Sequence, residues 1–367
     1  MSTLKVDAIR HNSATSDAIT TAADGTCTAK LTSVNGGQLS HRNIIINGAM
    51  NISQRGTSFT SLGTAYTVDR FRYTENIDTG VVTVTQESIT DLPGFTKAAK
   101  INCTTAEAGV PSKSGSKFAA FNTKLEGQDL QQLAYGTSSA KQITLSFYVK
   151  SNVTGTFCVS LYKGDQTARN VSLGYTISSA NTWEKKELTF PADTGGGGID
   201  NNNGSGLEIY WVVARQQGYA GTASTTWGNN TDSRFANLCT ATIFENTNDH
   251  IMFTGVQLEV GDTATSFEHR SFHDELLRCQ RYYAEAGVVL ADGTPERYHN
   301  NVSLPVEMRA IPTRTVLHVD SGSGGNMYPN WGRSGGAPTN ASSTRQFYQG
   351  SANSAISSAF ISFNAEL

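Results

Sequence analysis

Apolar and polar residues alternate along several stretches between residues 43 and 270. In KQITLSFYVK, the apolar side chains fall at every second position, at Ile143, Leu145, Phe147 and Val149. The stretches TGTFCVSLYK, TWEKKELTF, LEIYWVVAR and HIMFTGVQLEV continue the series. A period of two is typical of strands that bury one face, and turn residues separate these stretches. The pattern therefore predicts a mainly β protein, with an antiparallel jelly-roll or β-sandwich domain over residues 43–270.

Residues 271–287 follow a helical period instead. Ser271 and Asp274 match a capping box, and Gly287 is a natural C-terminal stop. An apolar stripe recurs at spacings of three or four, at Phe272, Leu276, Cys279 and Tyr283. We expect one short connecting helix over 271–287. A helix this short is not stable alone, so its stripe must pack either on its own β-domain or at a subunit axis.

The segments at both ends are small. Residues 1–42 contain too few apolar residues for a core of their own. Within them, AITTAADGTCTAKL predicts strand, turn and strand, with Asp24 and Gly25 in the turn. This extended segment is either disordered or stabilised by another chain, and its Thr and branched residues favour the second alternative. Residues 288–367 predict a small C-terminal β-domain.

Composition excludes several classes of partner. The chain of 367 residues has a net charge of −3 and no basic run, so we expect no nucleic-acid partner. Five cysteines are scattered without a CxxC pair, which argues against a disulfide framework and a zinc site. Neither a secretory signal nor an apolar run of about 18 residues is present, so we expect folding in a reducing cytoplasm and no membrane insertion.

No pattern in the sequence indicates catalysis. The GxSxG, HExxH and P-loop motifs are absent. His269 and His273 do not share a helical face, because His269 precedes the predicted helix. We therefore expect a protein that is not an enzyme, with no cofactor and no metal. A calcium site at Asp193 and Asp200 in the glycine-rich loop 193–206 is the weaker alternative to a solvated loop.

Aromatic residues in two polar, glycine-rich loops are the candidate glycan-binding residues. Sugar rings stack on aromatic rings, while amide side chains bond the hydroxyl groups. The first loop supplies Tyr219, Trp227, Asn229 and Asn230, and the second supplies Tyr328, Asn330 and Trp331. The alternative for each loop is that its Trp fills a local packing gap.

Four stretches together resemble tailed-bacteriophage tail-fibre and receptor-binding proteins. They are NIIINGAMNISQRGTSF, YTVDRFRY, TGVQLEVGDTATSFEHRSFHDELLRCQRYY and EMRAIPTRTVLHV, in matching order between residues 43 and 319. The resemblance implies a virion protein made in the host cytoplasm, a homotrimer, and a jelly roll similar to carbohydrate-binding modules. Residues 1–42 resemble the segment that attaches such fibres to the tail, at its adaptor, nozzle or baseplate proteins.

The preferred hypothesis is a tail-fibre or receptor-binding subunit. It would bind host-surface polysaccharide through its distal loops without cleaving it. Two alternatives remain at this point. One is a purely structural virion accessory, in the tail or as a capsid decoration. The other is a free carbohydrate-binding module or glycosidase subunit.

Overall fold

The computed structural model describes residues 8–9, 19–21, 23, 27–29, 40–60, 63–221, 225–288, 298–321, 345–350 and 356–367. Near the N-terminus, β1 (Ala8–Ile9), β2 (Ile19–Thr21) and β3 (Cys27–Ala29) form an antiparallel sheet in that order. The pairing of Thr21 with Cys27 confirms the two predicted strands, while the predicted turn residues Asp24 and Gly25 lie outside the described residues. Whether a neighbouring chain stabilises this segment stays a prediction.

The main body is a sandwich of two antiparallel sheets. Its strands are β4 (Ser58–Thr60), β5 (Thr64–Tyr66), β6 (Phe71–Glu75), β7 (Val81–Ser88), β8 (Lys97–Thr105), β9 (Phe118–Glu126), β10 (Ile143–Ser151), β11 (Gly155–Lys163), β12 (Arg169–Ile177), β13 (Glu184–Phe190), β14 (Ser205–Arg215), β15 (Gly228–Asn229) and β16 (His250–Val260). One sheet has six strands in the order β13-β10-β16-β8-β7-β4, and the other has seven in the order β15-β12-β11-β14-β9-β6-β5. This architecture confirms the predicted antiparallel jelly-roll sandwich.

The core lies between the two sheets, where the alternating apolar residues meet. The four residues predicted from the KQITLSFYVK pattern are all fully buried in β10. Trp211 on β14 occupies the centre, with its ring centroid 5.9 Å from that of Phe147 and 6.1 Å from that of Phe253. Aromatic rings at these separations add to the free energy gained from burial. The period of two in the apolar residues therefore predicted the core residues of this strand correctly.

In the part of the chain that the structure describes, two α-helices and three 3₁₀ helices connect or flank the strands. They are α1 (Asp232–Phe235), α2 (Phe272–Gln280) and the 3₁₀ helices Val110–Ser112, Gly127–Leu133 and Gln217–Tyr219. The predicted N-cap of α2 is confirmed, because the Ser271 hydroxyl accepts a hydrogen bond from the Asp274 backbone N–H at 3.1 Å. The same hydroxyl donates to the Asp274 carboxylate at 2.7 Å.

The predicted extent of this helix is wrong. It ends at Gln280 rather than Gly287, and β17 (Tyr283–Val288) follows it as a strand. Tertiary pairing overrides the helical pattern, because β17 pairs with the C-terminal strand β21 (Ile356–Asn364). The predicted stripe is also only partly buried, since Phe272 is 63% exposed whereas Cys279 is 1% exposed.

The C-terminal strands form two further small sheets. The strands β18 (Tyr298–Ser303), β19 (Thr313–Ser321) and β20 (Arg345–Gly350) complete the set. One sheet has the order β17-β21-β19, and the other pairs β18 with β20. A small cluster that includes Leu304, Met308 and Phe363 is buried here. The predicted domain boundaries at 42, 270 and 287 stay predictions, although β17 crosses the last of them.

Candidate functional site

Two residues of the first predicted loop make packing contacts within the protein. The Tyr219 ring is buried and lies edge-on to Phe118, with centroids 5.4 Å apart. Burial, followed by the charge of Asp232, raises the pKa of Tyr219 to about 12. Trp227 is half-buried, and its indole N–H donates to the Pro191 carbonyl at 2.8 Å. The structure thus places Tyr219 and Trp227 against different partners, as the packing alternative expects.

The remaining predicted residues divide into two groups. Asn229 and Asn230 are exposed beside the edge strand β15, where the Asn230 side-chain oxygen accepts from Asn170 at 2.8 Å. The second cluster of Tyr328, Asn330 and Trp331 lies outside the described residues, so its role in binding stays a prediction.

A different surface gathers the side chains suited to a sugar ligand, on the outer face of the seven-stranded sheet. In the first row, strand register places Tyr66 opposite Arg72, Arg72 opposite Asn122 and Asn122 opposite Tyr210. The next row places Lys124 opposite Glu208 and Glu208 opposite Tyr162. We name this surface the tyrosine–arginine face. It consists of Tyr66, Arg72, Thr74, Asn122, Lys124, Tyr162, Glu208 and Tyr210.

Alternation along β9 explains why this face exists. Phe121 points into the core and stacks on Phe71, with ring centroids 5.0 Å apart. Its neighbours Asn122 and Lys124 must then point outward, because successive strand residues lie on opposite sides. An outward position is normally exposed, yet Asn122 is fully buried among the other side chains of the face.

Asn122 fixes the orientation of Arg72. The Asn122 side-chain nitrogen donates to the Thr74 hydroxyl at 2.8 Å. Its side-chain oxygen accepts a hydrogen bond from Arg72 Nε at 3.1 Å. A buried amide with both ends bonded has a single arrangement, so it holds the guanidinium in one orientation.

The second row contains an ion pair. Lys124 Nζ lies 3.0 Å from Glu208 Oε1, and the Tyr210 hydroxyl donates to the other oxygen of the same carboxylate. The Tyr210 ring lies edge-on to Phe235 of α1, with centroids 4.9 Å apart. Burial and then the Glu208 charge hold the pKa of Tyr210 well above its usual range, so its hydroxyl keeps its proton at neutral pH.

Burial also raises the pKa of Tyr66, at the other end of the first row, to about 12, with Glu366 adding to the shift. The two tyrosines therefore keep neutral hydroxyl groups and present partly exposed rings. Their rings provide apolar surface, and the terminal N–H groups of Arg72 between them provide hydrogen-bond donors, whereas both hydroxyl groups are already bonded, that of Tyr66 to the Leu367 carbonyl at 2.7 Å and that of Tyr210 to Glu208. Stacking and hydroxyl recognition of a sugar need that combination.

The Lys163 ammonium group lies within the glycine-rich loop 193–206, where the alternative calcium site was predicted. Lys163 and Asp193 are both fully buried, and Lys163 Nζ lies 3.1 Å from Asp193 Oδ2. Lys163 also donates to the carbonyl of Gly197 at 2.5 Å, while Arg169 Nε lies 3.0 Å from Asp193 Oδ1. Both carboxylate oxygens of Asp193 are thus committed to protein cations. Within the described residues, no group of three or more His, Cys, Asp or Glu side chains is placed to hold a metal ion.

Segments of the stretches that carry the tail-fibre resemblance meet in one buried junction. The Glu366 carboxylate binds Arg55 at 3.1 Å and also binds Arg70. The Arg70 guanidinium lies over the Tyr282 ring, 3.3 Å from its centroid, and the Arg55 guanidinium lies over the Tyr283 ring at 3.7 Å. These residues connect the sandwich to β17 and the C-terminal sheets, so their role in the fold is structural.

A charged groove lies beside this junction. Its volume is about 830 Å³, and its described lining includes His269, Asp274, Arg278 and Glu307 but no Tyr or Trp. Its described lining therefore offers no Tyr or Trp ring on which a sugar could stack. Of the helices that the structure describes, none has the length and apolar character needed to span a membrane.

Comparison with known proteins gives weak structural similarities only. No protein-family model matches the chain, and curated proteins give no match. The enzymatically active domain of tailspike protein 4 from Bacteriophage CBA120 is 14% identical, with a TM-score of 0.31, over 59% of this chain and 21% of that one. A putative sugar binding protein from Bacteroides thetaiotaomicron is 12% identical, with a TM-score of 0.35, over 60% of this chain and 100% of that one.

The CBM22-1 xylan-binding domain from Paenibacillus barcinonensis is 9% identical, with a TM-score of 0.29, over 63% of this chain and 100% of that one. At such values, the similarity identifies neither a ligand nor an assembly for this protein.

Proposed function

We propose that the protein binds a glycan through the tyrosine–arginine face, as the receptor-binding subunit of a bacteriophage tail. The observation that carries the binding proposal is the row of Tyr66, Arg72, Asn122 and Tyr210 on three central strands and one edge strand of a rigid sheet. Side chains held on paired strands lose little conformational entropy when a ligand binds. A sugar chain lying across the strands would contact both rings and the polar groups between them.

The virion part of the proposal rests on the sequence resemblance. In this proposal, residues 1–42 attach the subunit to tail proteins, and three copies assemble as a homotrimer. Three weak sites on one particle then gain avidity, because the second and third binding events become intramolecular. The location in the virion tail follows from the same proposal.

Binding without cleavage is the proposed mode of action. Glycoside hydrolysis commonly needs two carboxyl groups on either side of the scissile bond. The Glu208 carboxylate of the tyrosine–arginine face is engaged by Lys124 and by the Tyr210 hydroxyl. It is therefore better suited to holding the face together than to proton transfer.

Calorimetric titration with purified host-surface polysaccharides tests the proposed face. The variant Tyr66→Ala/Tyr210→Ala, checked by thermal melting to be folded, should bind about tenfold more weakly, since each aromatic contact contributes roughly 0.5–1.5 kcal/mol. Phe272→Ala is the matched control, because it removes an exposed aromatic ring from α2. Unchanged affinity in the double variant would refute the proposed face, and a loss confined to Trp227→Ala would favour the loop instead.

Two further experiments separate the virion proposal from a free carbohydrate-binding module. Sedimentation of the purified chain should give the mass of a trimer, and deletion of residues 1–42 should prevent incorporation into particles. A monomer at micromolar concentration, or a truncated chain that still joins the tail, would favour the free module. Release of reducing ends from the polysaccharide would contradict binding without cleavage.

A further inference from the structure

The Arg72 guanidinium differs from the arginines at the junction with the C-terminal sheets and beside it. Arg55, Arg70 and Arg281 each pair with a glutamate carboxylate. Arg72 pairs with none among the described residues, where its one hydrogen bond runs from Nε to the Asn122 amide. Its two terminal nitrogens therefore remain available on the outer side of the sheet.

The charge around Arg72 is positive although the whole chain has a net charge of −3. Lys124 and Glu208 neutralise each other at 3.0 Å, which leaves the Arg72 charge uncompensated on the tyrosine–arginine face. Its field reaches both ends of the first row, since it lowers the pKa of Tyr66 and that of Tyr210 against the opposing effect of burial. The guanidinium and the two tyrosines thus border the same surface.

We infer that the glycan bound at the tyrosine–arginine face is acidic, and that Arg72 binds the carboxylate of one of its sugars. This inference rests on the proposed function and specifies its ligand class. A guanidinium whose Nε is already held presents its terminal N–H groups in a fixed fork, which matches the two oxygens of a carboxylate. Asn122 holds Arg72 Nε in place. Because Asn122 is itself buried and bonded at both ends, the guanidinium has this orientation without a bound ligand.

The geometry also places the acidic sugar within the chain. Neighbouring strands lie about 4.8 Å apart, so Arg72 on β6 is about one strand spacing from Tyr66 and about two from Tyr210. The carboxylate-bearing sugar would lie at Arg72, next to the ring that stacks on Tyr66. The following sugars would extend across β9 toward Tyr210.

A panel of defined polysaccharides tests the inference. Polygalacturonate, alginate and polysialic acid are each titrated alongside their carboxyl-reduced, neutral forms, with xylan, dextran and a ribitol-phosphate polymer added. The natural protein should bind at least one carboxylate polymer at least tenfold more tightly than its reduced form. Arg72→Gln should lose that tenfold preference and bind the reduced form unchanged. Arg72→Lys should recover little, because a lysine cannot form the fork.

Lys185→Gln is the matched control. Lys185 is a partly exposed lysine that pairs with Glu187 on the six-stranded sheet, so its removal makes the same change in net charge away from the face. Its affinity should stay within twofold, whereas an equal loss in both variants would show that only overall charge matters. Thermal melting confirms that each variant is folded.

The outcomes separate this inference from the proposed function. Binding of xylan or dextran without preference for any acidic polymer would overturn the inference and leave glycan binding standing. Preference for the ribitol-phosphate polymer alone would show that the oxyanion is a phosphate and overturn the carboxylate assignment. Binding of no polysaccharide in the panel would overturn both.

Discussion

The buried junction around Glu366 gives the sharpest prediction for stability. Its carboxylate side chain is 4% exposed and is shared by Arg55 and Arg70, whose side chains are 11% and 2% exposed. Burial opposes the charge of Arg70, but the charge of Glu366, followed by the effects of Tyr282 and Tyr66, outweighs burial and holds the pKa of the guanidinium above its usual range. The Arg70 guanidinium therefore stays charged at every pH at which the protein folds.

Glu366→Gln would leave the Arg70 charge buried without a counter-ion. Removing one partner of a buried ion pair typically costs about 3–5 kcal/mol, because the remaining charge is not solvated. For a domain of 150–250 residues, each 1 kcal/mol lowers Tm by roughly 2–4 °C, so we expect Tm to fall by about 6–20 °C. Differential scanning calorimetry measures this shift directly.

Two companion variants test the reasoning. Glu187→Gln breaks an ion pair whose side chains are 36% and 49% exposed, and should change stability by less than about 1 kcal/mol. The double variant Arg70→Met/Glu366→Leu should lose less than the sum of its single changes, because no Arg70 charge is left unpaired and Arg55 keeps Asp69 as a partner at 3.7 Å. If Glu366→Gln melts within 2 °C of the natural protein, by the scaling above, the junction is not held by this ion pair.

Three further outcomes follow from the same structure. Ser271→Ala should destabilise the protein by about 1 kcal/mol through loss of the α2 cap, measured by urea unfolding, whereas Ser271→Asp should not. Burial raises the pKa of Glu75 to about 7, against the hydrogen bond that it accepts from Tyr73, with Glu107 adding to the rise. The folded state therefore binds this proton more tightly than the unfolded state, and stability should fall as the pH rises from about 4.5 to 7. In Glu75→Gln the melting temperature should fall less over that window, and identical pH profiles would contradict the assignment. Lys163→Met should cost about 3 kcal/mol by leaving the Asp193 carboxylate with Arg169 alone. Added calcium should raise the Tm of the natural protein by less than about 1 °C.

The strand pattern predicted the sandwich because alternation is local information. The alternate residues Ile143, Leu145, Phe147 and Val149 fall on one face of β10 whatever the strand pairs with. The end of α2 was not predictable in that way. Tyr283 and Glu285 continue a helical sequence, yet β21 supplies a pairing partner from almost 80 residues further along, and that distant pairing determines their conformation.

The tyrosine–arginine face was not predicted from the sequence for a related reason. Aromatic residues in polar loops, such as Tyr219 and Trp227, were chosen as candidates because their burial was not expected from their neighbours. Both make packing contacts in the structure, and their role in binding stays a prediction. The partly exposed Tyr66 and Tyr210 lie on strands that are far apart in sequence. A signal was present in β9, where Asn122 and Lys124 alternate with Phe121, but only the register of β6, β9 and β14 shows which polar residues stand side by side.

Because side chains alternate along β9, its inward and outward positions are under different selective pressures. Positions such as Phe121 maintain the interior, while Lys124 on the opposite side can be exchanged together with its ion-pair partner Glu208 without disturbing that interior. Under the proposed function, a variant with a new ligand could therefore arise by exchanging outward side chains without rebuilding the scaffold. Asn122 is the exception, since it faces outward yet is enclosed, so that a change from an acidic to a neutral ligand would require Asn122 and Arg72 to change together.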